Sequence, residues 1–356
     1  MELGIYTFGD LPADASGPRA AQQHLQEIVA AAKLADEAGL HVFGVGEHHR
    51  SDCAVSAHTV VLGAIAAVTR RIRLTSAETI ISSADPVRVF EDFATLDLLS
   101  SGPAELMAGR GAFIESFPLF GFALQDYEAL YNEKLELLLK LRHSERITWE
   151  GRFRPSLDDA EVSPRPISAS LPIWIGAGGT PQSAVRADQA GLPLNLANIG
   201  GESARFKPFI DLYRQTGLAA GHASGDLNVA ISGHLHVQRD SQRARDKFFP
   251  QYTHYMRHNP PQRDQGWEFS QREYEQLASP RGALFVGSPE EIADKILYEH
   301  ELFGHRRFLA QIDIGGVPYA KVAQVIELLA GDVLPIVKRA LAGQNKTTPG
   351  DASAAP

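Results

Sequence analysis

The chain has 356 residues, 44% hydrophobic and 22% charged, with a formal net charge of -9. That apolar content fills a large core, and an acidic surface repels phosphate backbones, which argues against nucleic-acid binding. Its longest apolar runs, such as Val60–Val68, fall short of the roughly 20 residues that cross a bilayer, and its single cysteine, Cys53, excludes an internal disulfide and suits a reducing cytoplasm.

The chain opens on a strand-like segment, Leu3–Phe8, with no signal-type stretch before it, so a cytoplasmic location is expected. Further strands are predicted at His41–Gly46, Ile72–Ala77, Ala104–Gly109, Pro172–Ala177, Leu192–Asn198, Asn228–Val237 and Arg307–Ile314. Each is short, apolar and bounded by Gly, Pro or Asp, as strands of a buried parallel sheet are. Helical patterns fill the intervals at Gln22–Ala38, Ser56–Val68, Pro86–Leu99, Tyr127–Arg142, Pro181–Ala190, Ala204–Thr216, Ser241–His258, Pro289–Phe303 and Pro318–Ala342. Asp85–Pro86, Thr180–Pro181 and Ser288–Pro289 each pair an N-cap residue with a proline at the first helical position.

Eight strands, each followed by a helix, predict a single α/β domain over residues 1–342, a (β/α)8 TIM barrel; a doubly wound sheet is the competing topology. Two long connections, 143–171 and 256–285, are expected to act as lids. The 343–356 tail is too poor in apolar residues to pack and is expected to be disordered.

Barrel active sites lie at the carboxyl ends of the strands. The second strand ends in Glu47-His48-His49, the third near Ser76-Ala77-Glu78, the fourth in Gly109-Arg110-Gly111 and the fifth in Gly176-Ala177-Gly178-Gly179-Thr180-Pro181. The last is either an anion site, where backbone N–H groups and the helix dipole face a phosphate, or a plain glycine turn capped by Thr180. Arg110 needs an anion, either a ligand or a structural partner such as Glu105 or Asp97. His48 and His49 should diverge, one inward and one toward a helix, and an imidazole there can exchange protons. His234 and His236 share one face of a strand, and with Asp313 they suggest a metal-dependent hydrolase; wall residues are the commoner outcome. Cys53 has no evident base beside it.

As an ordered set, these segments resemble the bacterial luciferase-like flavin monooxygenases. The resemblance is carried by Glu47-His48-His49, Ala84-Asp85-Pro86-Val87-Arg88, Phe93 to Ser100, Ala108-Gly109-Arg110-Gly111, Phe120-Gly121, Pro164-Arg165-Pro166 and Pro172 to Thr180. It implies a TIM barrel with FMN across its mouth. Gly178, Gly179, Thr180 and Arg110 would hold the phosphate, and His48 would act as base. Tyr6, Thr7 and Phe8 would lie under or beside the ring, and a non-proline cis peptide is expected near Ser76-Ala77. Two departures argue against light emission: Gly109 stands where bacterial luciferase has a reactive cysteine, and Glu128 where it has a second phosphate-binding arginine.

The activity this implies is oxygenation of a small apolar or carbonyl substrate by dioxygen and reduced FMN, the latter supplied by a separate NAD(P)H:flavin reductase. The resemblance also implies a homodimer through the helices near strands two and three. The rivals are F420-dependent hydride transfer on the same barrel, the metal-dependent hydrolase, and a non-catalytic flavin-binding protein.

Overall fold

Eight parallel strands form in chain order: β1 Glu2–Thr7, β2 Val42–Val45, β3 Arg73–Ser76, β4 Ala104–Gly109, β5 Ile173–Ala177, β6 Leu194–Ala197, β7 Val229–Val237 and β8 Arg307–Gln311. They belong to a computed structural model that describes all residues except 103, 112, 169, 259–267, 269 and 348–356. Each strand pairs with its sequence neighbours, and β8 closes the circle onto β1. The predicted TIM barrel is therefore the fold, because a closed sheet leaves no edge to protect.

Strand alternation separates two cores. Leu3, Ile5, Phe43, Leu106, Ile175 and Phe308 face outward onto the helices in the main apolar cluster. Tyr6, Val42, Met107, Trp174, Ala230 and Leu309 fill the barrel itself. Burying one such large side chain is worth about 1.5–3 kcal/mol. At the amino-terminal end, Arg307 (2% exposed) donates to Glu105 at 3.1 Å and to Glu2 at 2.8 Å, and Arg73 joins both carboxylates.

The longer helices are α1 Gly17–Ala38, α2 His58–Ala66, α3 Pro86–Ser100, α4 Tyr127–His143, α5 Pro181–Gln189, α6 Lys207–Ala219, α7 Ser241–His258, α8 Gln271–Ala278, α9 Pro289–Phe303, α10 Tyr319–Leu328 and α11 Leu334–Thr347. Local sequence explains several ends. Asp85 caps α3 by accepting from the Val87 and Arg88 N–H groups, and Ser288 with Glu291 forms a capping box on α9. The predicted helix at Pro318–Ala342 is instead α10 and α11 joined by a π turn at Leu329–Val333. Helix α11 reaches Thr347, so 343–347 continue a helix rather than begin a tail; 348–356 lie outside the described residues.

The two insertions are built differently from each other. Within 143–171 an antiparallel hairpin, Arg146–Trp149 with Leu157–Glu161, lies along the flank of α4, where Glu133 accepts from the Arg152 and Phe153 N–H groups. The connection starts at the amino-terminal end of the barrel, and the tip of its hairpin rises along α4 to the other end, where Arg152 donates to Asp126 and Arg154 to Asp85, both at 3.0 Å, at the starts of α4 and α3. The 256–285 segment follows β7 and α7, and contributes α8 and a short strand, Phe285–Gly287, that extends the sheet beside Leu235–Val237. Residues 259–267 and 269 of that predicted lid lie outside the described residues. Among the described residues, no helix is long and apolar enough to cross a membrane.

Candidate active site

The turn after β5 brings anion-binding groups together. Gly179 has φ 96°, a left-handed conformation that favours glycine, and a Cβ there would sit 2.5 Å from the Phe206 ring. The turn delivers Thr180 to the start of α5, but its hydroxyl does not cap the helix; it lies 2.8 Å from Ser183 Oγ. Arg110, at the end of β4, donates through Nη2 to Thr180 Oγ1 at 3.3 Å and to Ser183 Oγ at 3.2 Å, and through Nη1 to Glu128 Oε1.

Arg186, on α5, donates to the other carboxylate oxygen, Glu128 Oε2, at 2.7 Å. One carboxylate thus holds two guanidiniums, each over a tyrosine ring: Arg110 over Tyr127 at 5.5 Å and Arg186 over Tyr131 at 5.2 Å. Glu128 stands in for an oxyanion, and two arginines, two hydroxyls and a helix amino terminus fit a terminal phosphate. Glu128 stands where the luciferase resemblance implies a second arginine, and the guanidinium that lies against it is Arg186 of α5. Neither suggested structural partner reaches Arg110, since Glu105 pairs with Arg307, and Asp97 accepts from Ala104, Ile167 and Ser168.

On the β2 side, His48 is 5% exposed and its Nδ1 lies 2.9 Å from Glu115 Oε1. Its ring packs against Phe8 at 4.6 Å and Phe113 at 4.7 Å. A carboxylate on Nδ1 fixes that nitrogen as the N–H and makes Nε2 the proton-exchanging atom. Burial pushes the Glu115 carboxyl up, but its hydrogen bonds to His48 and to its own backbone N–H, with the charges of His48 and Arg50, together hold it below the usual range. Glu115 lies 67 residues away, a separation that no local pattern reports. His49 diverges as expected, its Nε2 2.9 Å from Glu47 Oε2.

Four other predicted residues sit in three different ways. Tyr6 and Ala77 face the barrel interior together. Thr7 faces the other way, its hydroxyl donating to Asp313 and accepting from the Gly9 N–H at 2.7 Å. Ser76 is fully buried and spends its hydroxyl on Met107, donating to the carbonyl at 3.1 Å and accepting from the N–H at 2.9 Å. The non-proline cis peptide is Ala77–Glu78, one residue past the expected pair.

The metal-site alternative is not assembled. Asp313 bonds Thr7, His236 stacks on Phe248 at 4.9 Å, and His234 packs on Tyr252 and Tyr255. Burial holds both imidazoles neutral, pushed down to about 4, which is the behaviour of wall residues. Among the described residues no three His, Cys, Asp or Glu side chains converge as metal ligands. Burial also pushes the half-buried Cys53 thiol well up, consistent with an inert thiol.

The fold defines the class: a parallel (β/α)8 barrel whose strand ends gather Arg110, Arg186, Thr180 and Ser183 on one side and a carboxylate-oriented histidine, His48, on the other. Within that class, residues 1–306 match the model of the luciferase-like monooxygenases, and the chain belongs to that family. Over 186 residues it is 34% identical to the N-acetyl-S-alkylcysteine monooxygenase of Bacillus subtilis strain 168, covering 51% of this chain and 54% of that one. It is 22% identical over 336 residues to the alkanal monooxygenase alpha chain of Photorhabdus laumondii, covering 88% and 92% of the two chains. Monooxygenase RslO1 from Streptomyces bottropensis superposes with a TM-score of 0.81 at 26% identity, covering 94% of this chain and 99% of that one. Structures sharing the barrel at 18–19% identity include both FMN-bound and F420-dependent enzymes, which establishes the architecture and not the cofactor.

Proposed function

We propose that this family member is a flavin-dependent monooxygenase that binds reduced FMN and uses dioxygen to oxygenate a small, largely apolar or carbonyl-containing substrate. The observation that carries the reading is the cradle at Arg110, Arg186, Thr180 and Ser183, already closed around a carboxylate. A terminal phosphate matches it in charge and donor count, and the main-chain turn at Gly178 and Gly179 allows close approach. When bound, reduced FMN supplies the electrons that activate dioxygen.

The chain's own residues do the rest. Arg110 and Arg186 hold the phosphate end. Tyr6 and Ala77 offer an apolar wall inside the barrel, and Phe8 and Phe113 keep water from His48. His48, held by Glu115, moves a proton at Nε2 during oxygen transfer. A separate NAD(P)H:flavin reductase, a cytoplasmic setting and a homodimer belong to the same reading. Val60 (71% exposed) on α2 and Leu99 (63% exposed) on α3 supply an apolar face for the dimer.

The shared barrel keeps F420-dependent hydride transfer as the second reading. Anaerobic titration with reduced FMN, then mixing with oxygenated buffer, separates the two. Tight binding followed by oxygen-dependent absorbance changes supports the monooxygenase. No binding of reduced FMN, with binding of F420, overturns it.

A further inference from the structure

Glu78 follows Ala77 across the cis peptide at the end of β3, and its side chain enters the space between β4 and β5. A Cβ on Gly109 would lie 1.9 Å from Glu78 Oε2, and one on Gly176 would lie 1.6 Å from Oε1. Any other residue at either glycine would occupy the volume of the carboxyl. Two inward positions on adjacent strands are therefore left bare to make a slot for one carboxyl group. Both adjoin the cradle in sequence: Arg110 follows Gly109, and the Gly178-Gly179 turn follows Gly176 by two residues.

The groups facing Glu78 are few. Arg110 lies across from it at the end of β4, Tyr6 comes from β1, and Tyr127 and Tyr131 come from α4. Among the described residues only Arg110 favours the charged form, through space and without a hydrogen bond; burial outweighs it and carries the carboxyl up to about 7. A structural carboxylate would be paired or hydrogen-bonded, as Glu105 is on Arg307.

We propose that Glu78 sets the reduction potential of the flavin bound at this mouth, by holding a proton when the ring is reduced and releasing it when the ring is oxidised. The inference rests on the flavin reading above. An ionised carboxylate in a poorly solvated slot disfavours adding electrons nearby, whereas a neutral carboxyl does not. Two-electron reduction by a reduced nicotinamide or a chemical reductant delivers two electrons and one proton to the ring. Where Glu78 starts ionised, its Oε takes up one further proton from water. The charge beside the ring then falls by one as the electrons arrive.

The test is a redox titration of the FMN-loaded protein across neutral pH, compared with Glu78→Gln. Wild type should show an interval in which potential falls more steeply with pH. One extra proton per two electrons corresponds to about 30 mV per tenfold change in proton activity. Glu78→Gln should remove that interval and give a higher potential on its alkaline side. Superimposed curves for the two proteins would overturn the proposal while leaving flavin binding intact. Failure of wild type to bind FMN would overturn the flavin reading, and this inference with it. Gly109→Ala, which puts a methyl where the carboxyl lies, is a second variant and should shift or abolish the steep interval. Infrared titration of the apoprotein supplies an independent check. A protonated carboxyl band that bleaches near pH 7 in wild type and is missing in Glu78→Gln supports the assignment; no such difference sinks it.

Discussion

Arg186 donates to Glu128 at 2.7 Å, across the gap between α5 and α4, and so brings a second guanidinium beside Arg110. Glu128 is itself 53% exposed, so water can replace its two ion pairs when an anion displaces it. On the flavin reading proposed above, the carboxylate competes with the phosphate for the two guanidiniums it pairs with. It explains how a position that looks like a lost arginine leaves the site cationic.

Removing the competitor should strengthen anion binding. Glu128→Gln is expected to tighten FMN about tenfold at low salt, with riboflavin affinity unchanged because riboflavin has no phosphate. Arg186→Ala should weaken FMN about 10- to 100-fold, the loss of one charge-assisted interaction of about 1.5–3 kcal/mol. Fluorescence titration with both flavins measures the ratio. Weaker FMN binding in Glu128→Gln would show that the carboxylate positions the arginines rather than competing for them.

The proton-exchange role of His48 separates binding from turnover. His48→Ala should lower turnover by about 100-fold or more, as loss of a general acid–base does, with FMN affinity nearly intact. Glu115→Gln should cost less, because the ring remains but its orientation and charge support are weakened. Steady-state kinetics with saturating reduced FMN reads both. Wild-type turnover in His48→Ala would remove the histidine from the mechanism.

Folding stability at the other end of the barrel depends on Arg307. Glu105→Ala leaves that guanidinium buried with only Glu2 beside it, and loss of one partner from a buried pair costs about 3–5 kcal/mol. Denaturant unfolding should show the loss, while the cradle at the far end keeps its flavin affinity. A midpoint equal to that of wild type would show that Glu2 alone satisfies the arginine.

Glu78 should also leave a mark on stability against pH. Its folded-state value is raised from 4.5 to about 7, so the proton is held more tightly in the folded state. The stabilisation this gives is complete below 4.5 and is lost as pH rises through about 7. Burial raises Asp10 and Asp313 in the same direction, with the charge of Asp313 adding to the shift on Asp10, so the difference between variant and wild type is the informative quantity. The unfolding free energy of Glu78→Gln minus that of wild type should grow in favour of the variant between these limits. A flat difference would show that the carboxyl is hydrated in the apoprotein.

Local chemistry in the sequence determined the barrel and the ends of its elements. Short apolar segments at regular spacing specify buried parallel strands, and Asp85-Pro86 or Ser288-Pro289 specify helix starts with atoms only a few residues apart. The glycine turn and Arg110 were legible for the same reason, because their place at strand ends follows from the fold. Tertiary structure alone decided the rest. Arg186 meets Glu128 across 58 residues, Glu115 meets His48 across 67, and Glu78 enters a slot that two glycines on other strands leave open. Thr7 shows the limit from the other side: it lies at the expected strand end, yet β alternation and Asp313 turn its hydroxyl away from the mouth. Hydrophobic period encodes which face of an element is buried. It does not encode which charged groups closure of the barrel brings face to face, because those pairings depend on the stagger and packing of the whole sheet.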